Sequence, residues 1–172
     1  GVLHPAPADP TRNGYTFAGW SPALPATMPA ENMTITAQWT INQYNYTVQY
    51  YYDGQINDSQ TVTSSADFES TISTYPDKKL PGYKLEKTEN FPLTISATAE
   101  NNVIKVYYVT DPDQKHNLSY TVEYYKDGVK VEADTQTVPQ TVQVLQPDTL
   151  TVDKNAINTT DKYTGYKFDK TD

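Results

Sequence analysis

The feature that most constrains the fold of this chain is an internal repeat. The segment Tyr46–Gly54, YTVQYYYDG, returns 74 residues later as Tyr120–Gly128, YTVEYYKDG. In both copies a run of strand-forming residues leads into Asp-Gly, the dipeptide most typical of a tight β-hairpin turn. A chain that repeats a strand and a turn at this distance is expected to fold as a series of small β modules.

Two further kinds of block recur in the same order. One begins with Gly-Tyr and occurs at Gly14–Phe17, Gly82–Leu85 and Gly165–Phe168. The other is a strand-like run that occurs at Met33–Trp39 and again at Val103–Tyr108. Three ordered blocks are difficult to explain by chance similarity between strands rich in Tyr and Thr.

These blocks predict three repeats of about 70 residues. Residues 1–40 are expected to be the back half of one repeat, residues 41–110 a complete repeat, and residues 111–172 a repeat without its last strand. Neighbouring repeats are the expected partners of each module, because a module of this size buries little surface alone. Open strand edges at the two ends predict that at least one end either pairs with a strand of a second copy of the chain or is disordered.

Alternation with a period of two supports a mainly β fold built from small modules. Bulky side chains fall on one face in Tyr46, Val48 and Tyr50, with Thr47 and Gln49 opposite. The stretch after Ser65 is the exception, because three apolar residues there have the spacing of a helix face, namely Phe68, Ile72 and Tyr75. We therefore predict a short helix in that stretch, which gives the small α+β alternative.

Gly82 and Gly165 each precede an aromatic residue at the expected start of a strand. Glycine alone adopts a left-handed backbone there without steric cost. Both are therefore predicted to have a positive φ or a close neighbour.

Two resemblances to known families follow from these motifs. Residues 10–40, with Gly14-Tyr15 and the strand Met33–Trp39, resemble the Listeria–Bacteroides repeat, the family that includes the internalin B-repeat. Residues 41–110 and 111–172 resemble the mucin-binding-protein (MucBP-type) repeat. The resemblance implies β-grasp-like modules, linked in tandem in an elongated arrangement on the surface of Gram-positive bacteria. It also implies that some members bind mucin or other glycans, and it supplies no catalytic residues.

Composition removes several classes of function. The net charge is −8 with one arginine, so the chain repels phosphate backbones and nucleic acid is not an expected partner. There is no cysteine, and His4 and His116 are the only histidines, so a nucleophilic triad, a metal site or a cofactor site has few residues to use. No apolar run approaches the roughly 18 residues of a membrane span. We expect a non-enzymatic extracellular protein whose anchor lies outside this sequence.

Tyrosine is unusually frequent, with 15 residues. Tyr51, Tyr107 and Tyr125 alternate away from the expected core faces and are the candidate glycan contacts, because an exposed ring can stack on a sugar. The alternative is that they pack across strands of a small sheet. The leading hypothesis is a structural stalk of an adhesin-type surface protein, and the second is a mucin- or carbohydrate-binding module.

Overall fold

A computed structural model describes residues 5–27 and 29–172, and it confirms the predicted mainly β fold. Helical structure in these residues is confined to four 3-10 turns of three residues each. The chain divides into two compact units. Unit 1 contains Gly1–Lys79 and Lys84–Val109, and unit 2 contains Leu80–Tyr83 and Thr110–Asp172. Unit 2 therefore includes a four-residue piece taken from within the sequence of unit 1.

A two-stranded antiparallel sheet opens unit 1. It pairs β1 (Tyr15–Ser21) with β2 (Thr36–Ile41), and its register shifts between Phe17 and Gly19. The ring of Phe17 contacts those of Trp20 and Trp39, with centroids 5.3 Å and 5.8 Å away. These edge-to-face contacts leave the three rings half-buried on one side of the hairpin.

The main sheet of unit 1 has five strands. They are β3 (Gln43–Tyr52), β4 (Gln55–Ile56), β5 (Val62–Asp67), β7 (Tyr83–Glu89) and β9 (Val103–Thr110). Both β4 and β5 pair with one edge of β3, while β9 lies along its other edge and β7 follows β9. Strands β3 and β9 run parallel over six register pairs, from Thr47 opposite Val103 to Tyr52 opposite Tyr108.

The core of the described chain lies on one face of this sheet. Alternate residues of the two parallel strands are buried, as the period-two pattern predicted: Val48, Tyr50, Tyr52, Ile104, Val106 and Tyr108. Leu93 and Ile95 complete this core at 2% and 1% exposure. Every buried apolar side chain among the described residues belongs to unit 1.

The predicted helix at residues 68–75 is wrong. Strand β5 ends at Asp67, Glu69 has a φ of +62°, and the next element is the short strand β6 (Thr71–Ile72), which pairs with β8 (Leu93–Thr94). The three apolar residues do not share one face, because Phe68 packs on Tyr15 and Tyr44, Ile72 pairs with Leu93, and Tyr75 packs on Phe91. Long-range pairing has overridden a weak helical spacing.

Unit 2 contains two small antiparallel sheets. Strands β10 (Lys115–Val122) and β13 (Gln136–Gln143) pair along eight residues, and β11 (Tyr125–Lys126) pairs with β12 (Val129–Lys130) across a tight turn. Residues 144–172 contain no strand.

The turn predictions are confirmed. Asp53 and Gly54 have φ values of +48° and +80°, and Asp127 and Gly128 have +46° and +80°. Two successive positive values are what a type I′ hairpin turn requires. Gly82 and Gly165 also have a positive φ, at +84° and +80°.

Candidate functional site

The outward face of the parallel pair brings two of the three candidate tyrosines together. Tyr51 on β3 is the register partner of Tyr107 on β9, and their rings stack with centroids 4.7 Å apart and an angle of 22°. Both rings are half-buried. Each ring thus uses one face on the other, which is the cross-strand packing considered as the alternative.

A charged pair on β7 borders this tyrosine pair. The Tyr107 hydroxyl donates a hydrogen bond of 3.0 Å to Glu89, and the Lys87 ammonium lies 4.7 Å from the centroid of the Tyr107 ring. Lys87 and Glu89 form an ion pair at 2.9 Å. Burial and the bond to Glu89 raise the pKa of Tyr107, while the bond from Lys87 lowers the pKa of Glu89. Stacking leaves a ligand only the outer face and the edges of each ring, next to the ion pair of Lys87 and Glu89.

Tyr125, the third candidate, lies in unit 2 on β11. Its side chain is 56% exposed and its hydroxyl donates a hydrogen bond of 2.8 Å to Glu123. That bond is the first cause of the raised pKa of Tyr125, and the ion pair with Lys130 at 2.8 Å helps to lower the pKa of Glu123. Tyr125 occupies the repeat position of Tyr51 but offers one isolated ring.

Three buried tyrosines have a role that the sequence reasoning missed. Their hydroxyls form hydrogen bonds that hold residues 76–78 against the core. Tyr50 and Tyr52 each donate 2.5 Å bonds, to the carbonyls of Pro76 and Lys78, and Tyr108 donates a 2.6 Å bond to Asp77. Burial raises the pKa of Tyr50 to about 12, and the bond from Tyr108 lowers the pKa of Asp77. The signal in the sequence was a tyrosine at core positions of both parallel strands, where valine or isoleucine would also fit.

The Gly-Tyr blocks form a second feature that sequence reasoning recognised only as turns. In unit 1, Tyr15 donates its backbone N–H to the Arg12 carbonyl at 3.1 Å, and Gly14 is the third residue of that turn with a φ of +79°. A side chain on Gly14 would overlap the ring of Phe68. We call the space beside the α-carbon of such a glycine the socket, and here Phe68 fills it.

Hydrogen bonds from the linker between β2 and β3 hold this arrangement. Asn42 donates its N–H to the Gly14 carbonyl at 2.9 Å, and its own carbonyl accepts the N–H of Phe68 at 2.9 Å. The Thr16 hydroxyl donates a 2.6 Å bond to the side chain of Asn42. One linker residue therefore joins the glycine turn to the segment that fills the socket.

Unit 2 repeats this arrangement around Gly82. Tyr83 donates its N–H to the Leu80 carbonyl at 3.1 Å, and a β-carbon on Gly82 would lie 2.5 Å from Cγ of Leu145. Asp111 donates its N–H to the Gly82 carbonyl at 2.7 Å.

Gln114 completes the Gly82 arrangement. Its carbonyl accepts the N–H of Val144, next to Leu145, at 3.0 Å. Its side chain accepts the Gly82 N–H at 2.9 Å and donates to the Tyr83 carbonyl at 2.8 Å.

The remaining side chains that could support catalysis or bind a metal ion do not form a cluster in the described residues. In the described part of the chain, no three His, Cys, Asp or Glu side chains gather closely enough to hold a metal ion. His116 contacts Asp148 at an exposed position, and His4 lies outside the described residues. Within residues 5–27 and 29–172, no helix has the length and apolarity to cross a membrane.

Comparison with known proteins gives a partial match. The chain is similar to Internalin H of Listeria monocytogenes, with 37% identity over 76 residues. The match covers 39% of this chain and 13% of Internalin H, so the chain spans a small part of that protein. No protein-family model matches, and no solved structure matches. The similarity supports an internalin-like repeat in this chain.

Proposed function

We propose that this chain is a non-enzymatic, load-bearing stalk segment of an adhesin-type protein on the bacterial surface. The observation that carries the proposal is the parallel pairing of β3 with β9 in unit 1. Similarity to Internalin H supports the surface location. The resemblance of residues 41–110 and 111–172 to MucBP-type repeats favours a Gram-positive cell wall.

The parallel pair is suited to resist tension along the chain. The polypeptide enters the main sheet at Gln43, the start of β3, and completes β9 at Thr110. In a parallel pair these two residues lie at opposite ends of the ladder. Tension between them strains all six register pairs at once, because the strands must slide past each other before any hydrogen bond can open alone.

The residues that repeat also favour a structural role. In unit 1 the N–H of Asn57 donates to the Tyr50 carbonyl at 2.9 Å, and in unit 2 the N–H of Val131 donates to the Tyr124 carbonyl at 2.8 Å. Both bonds close the hairpin that follows the repeated strand. The repeated residues of these two hairpins therefore serve the turns, which favours a structural role for them.

Binding of mucin or another glycan is the second candidate function. The half-exposed Tyr125 ring and the Tyr51–Tyr107 pair beside Lys87 are the features that favour it. One or two ring edges per unit support weak contacts, with a dissociation constant of roughly 1 mM or about 4 kcal/mol. An array of such units would still adhere through multivalency.

A binding experiment separates the two functions. The chain is titrated with mucin oligosaccharides by calorimetry, beside Tyr51→Ala and Tyr125→Ala variants and a Tyr46→Ala control on the core side of β3. The stalk proposal predicts no saturable binding tighter than about 1 mM. A low-micromolar dissociation constant that Tyr51→Ala or Tyr125→Ala abolishes would instead establish a binding module.

A further inference from the structure

The Gly-Tyr turn occurs a third time, close to the end of unit 2. Tyr166 donates its N–H to the Tyr163 carbonyl at 3.1 Å, the same bond and length as in the turns at Gly14 and Gly82. Gly165 has a φ of +80°, against +79° and +84° in those turns. A positive φ at the third residue is the requirement of a type II turn, so the third turn is preformed.

The three turns differ in what lies beside the glycine. Gly14 and Gly82 are buried by Phe68 and Leu145, whereas Gly165 is exposed. Within the described chain, no non-neighbouring heavy atom lies within 4 Å of where a β-carbon on Gly165 would be. The adjoining Tyr166 ring is 45% exposed. The third socket has the shape of the first two and is open.

Open space beside a glycine is not by itself a site. Gly54 and Gly128 are equally open, but each is the second central residue of an Asp-Gly hairpin, where the turn projects into solvent. Gly165 belongs instead to the Gly-Tyr turns, and in both other turns of this kind a side chain fills the socket beside the glycine. That equivalence is the evidence for an occupant.

We propose that the Gly165 socket receives an apolar side chain, of the kind of Phe68 or Leu145, from a further repeat module joined after Tyr166 in the same polypeptide. The inference rests on the proposed stalk function and identifies how one module docks on the preceding glycine turn. The linker before that module donates a backbone N–H to the Gly165 carbonyl, as Asn42 and Asp111 do to the carbonyls of Gly14 and Gly82. A linker carbonyl then accepts the N–H of the segment that carries the apolar residue.

The two filled sockets also limit which partner fits. Each filling residue comes from a later part of the chain than its glycine: Phe68 follows Gly14, and Leu145 follows Gly82. Each is reached through a short linker, the single residue Asn42 or the four residues 111–114. A second copy of this chain offers Phe68 and Leu145 only in positions that its own glycine turns already occupy.

The test extends the chain so that the missing partner is present. Because Gly165-Tyr166-Lys167 matches Gly82-Tyr83-Lys84, residues 1–167 are followed by a second copy of residues 85–172. The added copy then supplies a linker and a second Leu145 at the spacing that fills the Gly82 socket. The chain has seven glycines and the second copy of residues 85–172 adds two, so selective ¹⁵N-glycine labelling gives a simple spectrum in which the original Gly165 can be followed.

Two results are expected. The Gly165 amide should shift in the extended chain and exchange with solvent at least about tenfold more slowly, because it gains a bond like that from Gly82 to Gln114. Gly165→Ala should also lower the folding equilibrium constant at least about tenfold more in the extended chain than in the 172-residue chain. The matched control is Gly128→Ala in the original copy, an open glycine with the same φ of +80°, which should cost the same in both chains.

An unchanged Gly165 amide, together with an equal cost of Gly165→Ala in both chains, would overturn the proposal. Concentration-dependent dimerisation of the 172-residue chain that Gly165→Ala abolishes would also overturn it, because the occupant would then be a second copy. Neither outcome bears on the stalk function, which calorimetry with mucin oligosaccharides tests separately.

Discussion

Gly82→Ala tests the filled socket most sharply. The new methyl group would lie 2.5 Å from Cγ and 2.8 Å from Cδ2 of Leu145, well inside the roughly 3.5–4.0 Å of ordinary carbon contact. Overpacking of this kind costs about 1–3 kcal/mol, and the lower part of that range applies because Leu145 is 40% exposed and can move. The φ of +84° adds about 1–2 kcal/mol for any residue with a β-carbon. The total expected loss is about 2–4 kcal/mol.

Two comparisons isolate the socket from the backbone strain. Gly128→Ala, at a φ of +80° with nothing within 4 Å, should lose only the strain of about 1–2 kcal/mol. Leu145→Ala should relieve the overlap, so the double variant should be more stable than the sum of the single losses by about 1–2 kcal/mol.

The assay is a urea titration monitored through amide resonances of β10 and β13, which report on unit 2. Trp20 and Trp39 lie in unit 1, so their fluorescence follows the other unit in the same samples. Equal losses for Gly82→Ala and Gly128→Ala, with no coupling to Leu145, would show that Leu145 does not fill the space beside Gly82.

Three further predictions concern unit 1. Asn102→Leu should lower the free energy of unfolding by about 2–4 kcal/mol in a urea titration, because Asn102 is 1% exposed and its side chain bonds the Ser96 N–H and carbonyl, each at 2.8 Å. An unchanged free energy of unfolding would contradict this prediction. The hydrogen bond from the Tyr108 hydroxyl lowers the pKa of Asp77, so the stability from that bond should be complete above the ordinary pKa of a carboxyl group and lost as the pH falls through the lowered pKa of Asp77. Asp77→Asn should remove this part of the acid dependence of stability, and an unchanged acid dependence would contradict the prediction. Burial raises the pKa of Tyr50 to about 12, so its contribution to stability should be complete below pH of about 10 and fall as the pH approaches 12. Tyr50→Phe should make the alkaline loss of stability shallower without abolishing it, because burial also raises the pKa of Tyr108, and an unaltered loss would show that Tyr50 does not contribute.

Local patterns in the sequence predicted the parts of the fold that depend on neighbouring residues. The alternation from Tyr46 to Tyr50 placed the core face of β3, and Asp53-Gly54 marked the hairpin, because both signals lie within a few residues. The positive φ of Gly82 followed from its place before an aromatic strand.

Local sequence patterns could not predict the contacts between residues far apart in the sequence. The parallel register that sets Tyr51 beside Tyr107 joins residues 56 apart, and no turn residue marks it. The spacing of Phe68 suggested a helix, since the signal for its real role is Gly14, far away in the sequence. The β-grasp comparison, the three-repeat division and the tyrosine glycan contacts stay predictions.

Mechanical unfolding tests the load-bearing role most directly. These 172 residues contain no cysteine, so an introduced pair of cysteines defines the two attachment points. Handles on Gln43→Cys and Thr110→Cys pull the parallel pair in shear, whereas handles on Gln55→Cys and Thr110→Cys pull the same pair open from one end. If the parallel pair bears load, unit 1 should rupture at a clearly higher force in the first geometry than in the second, at equal loading rate. Equal forces in the two geometries, or a lower force in shear, would contradict it.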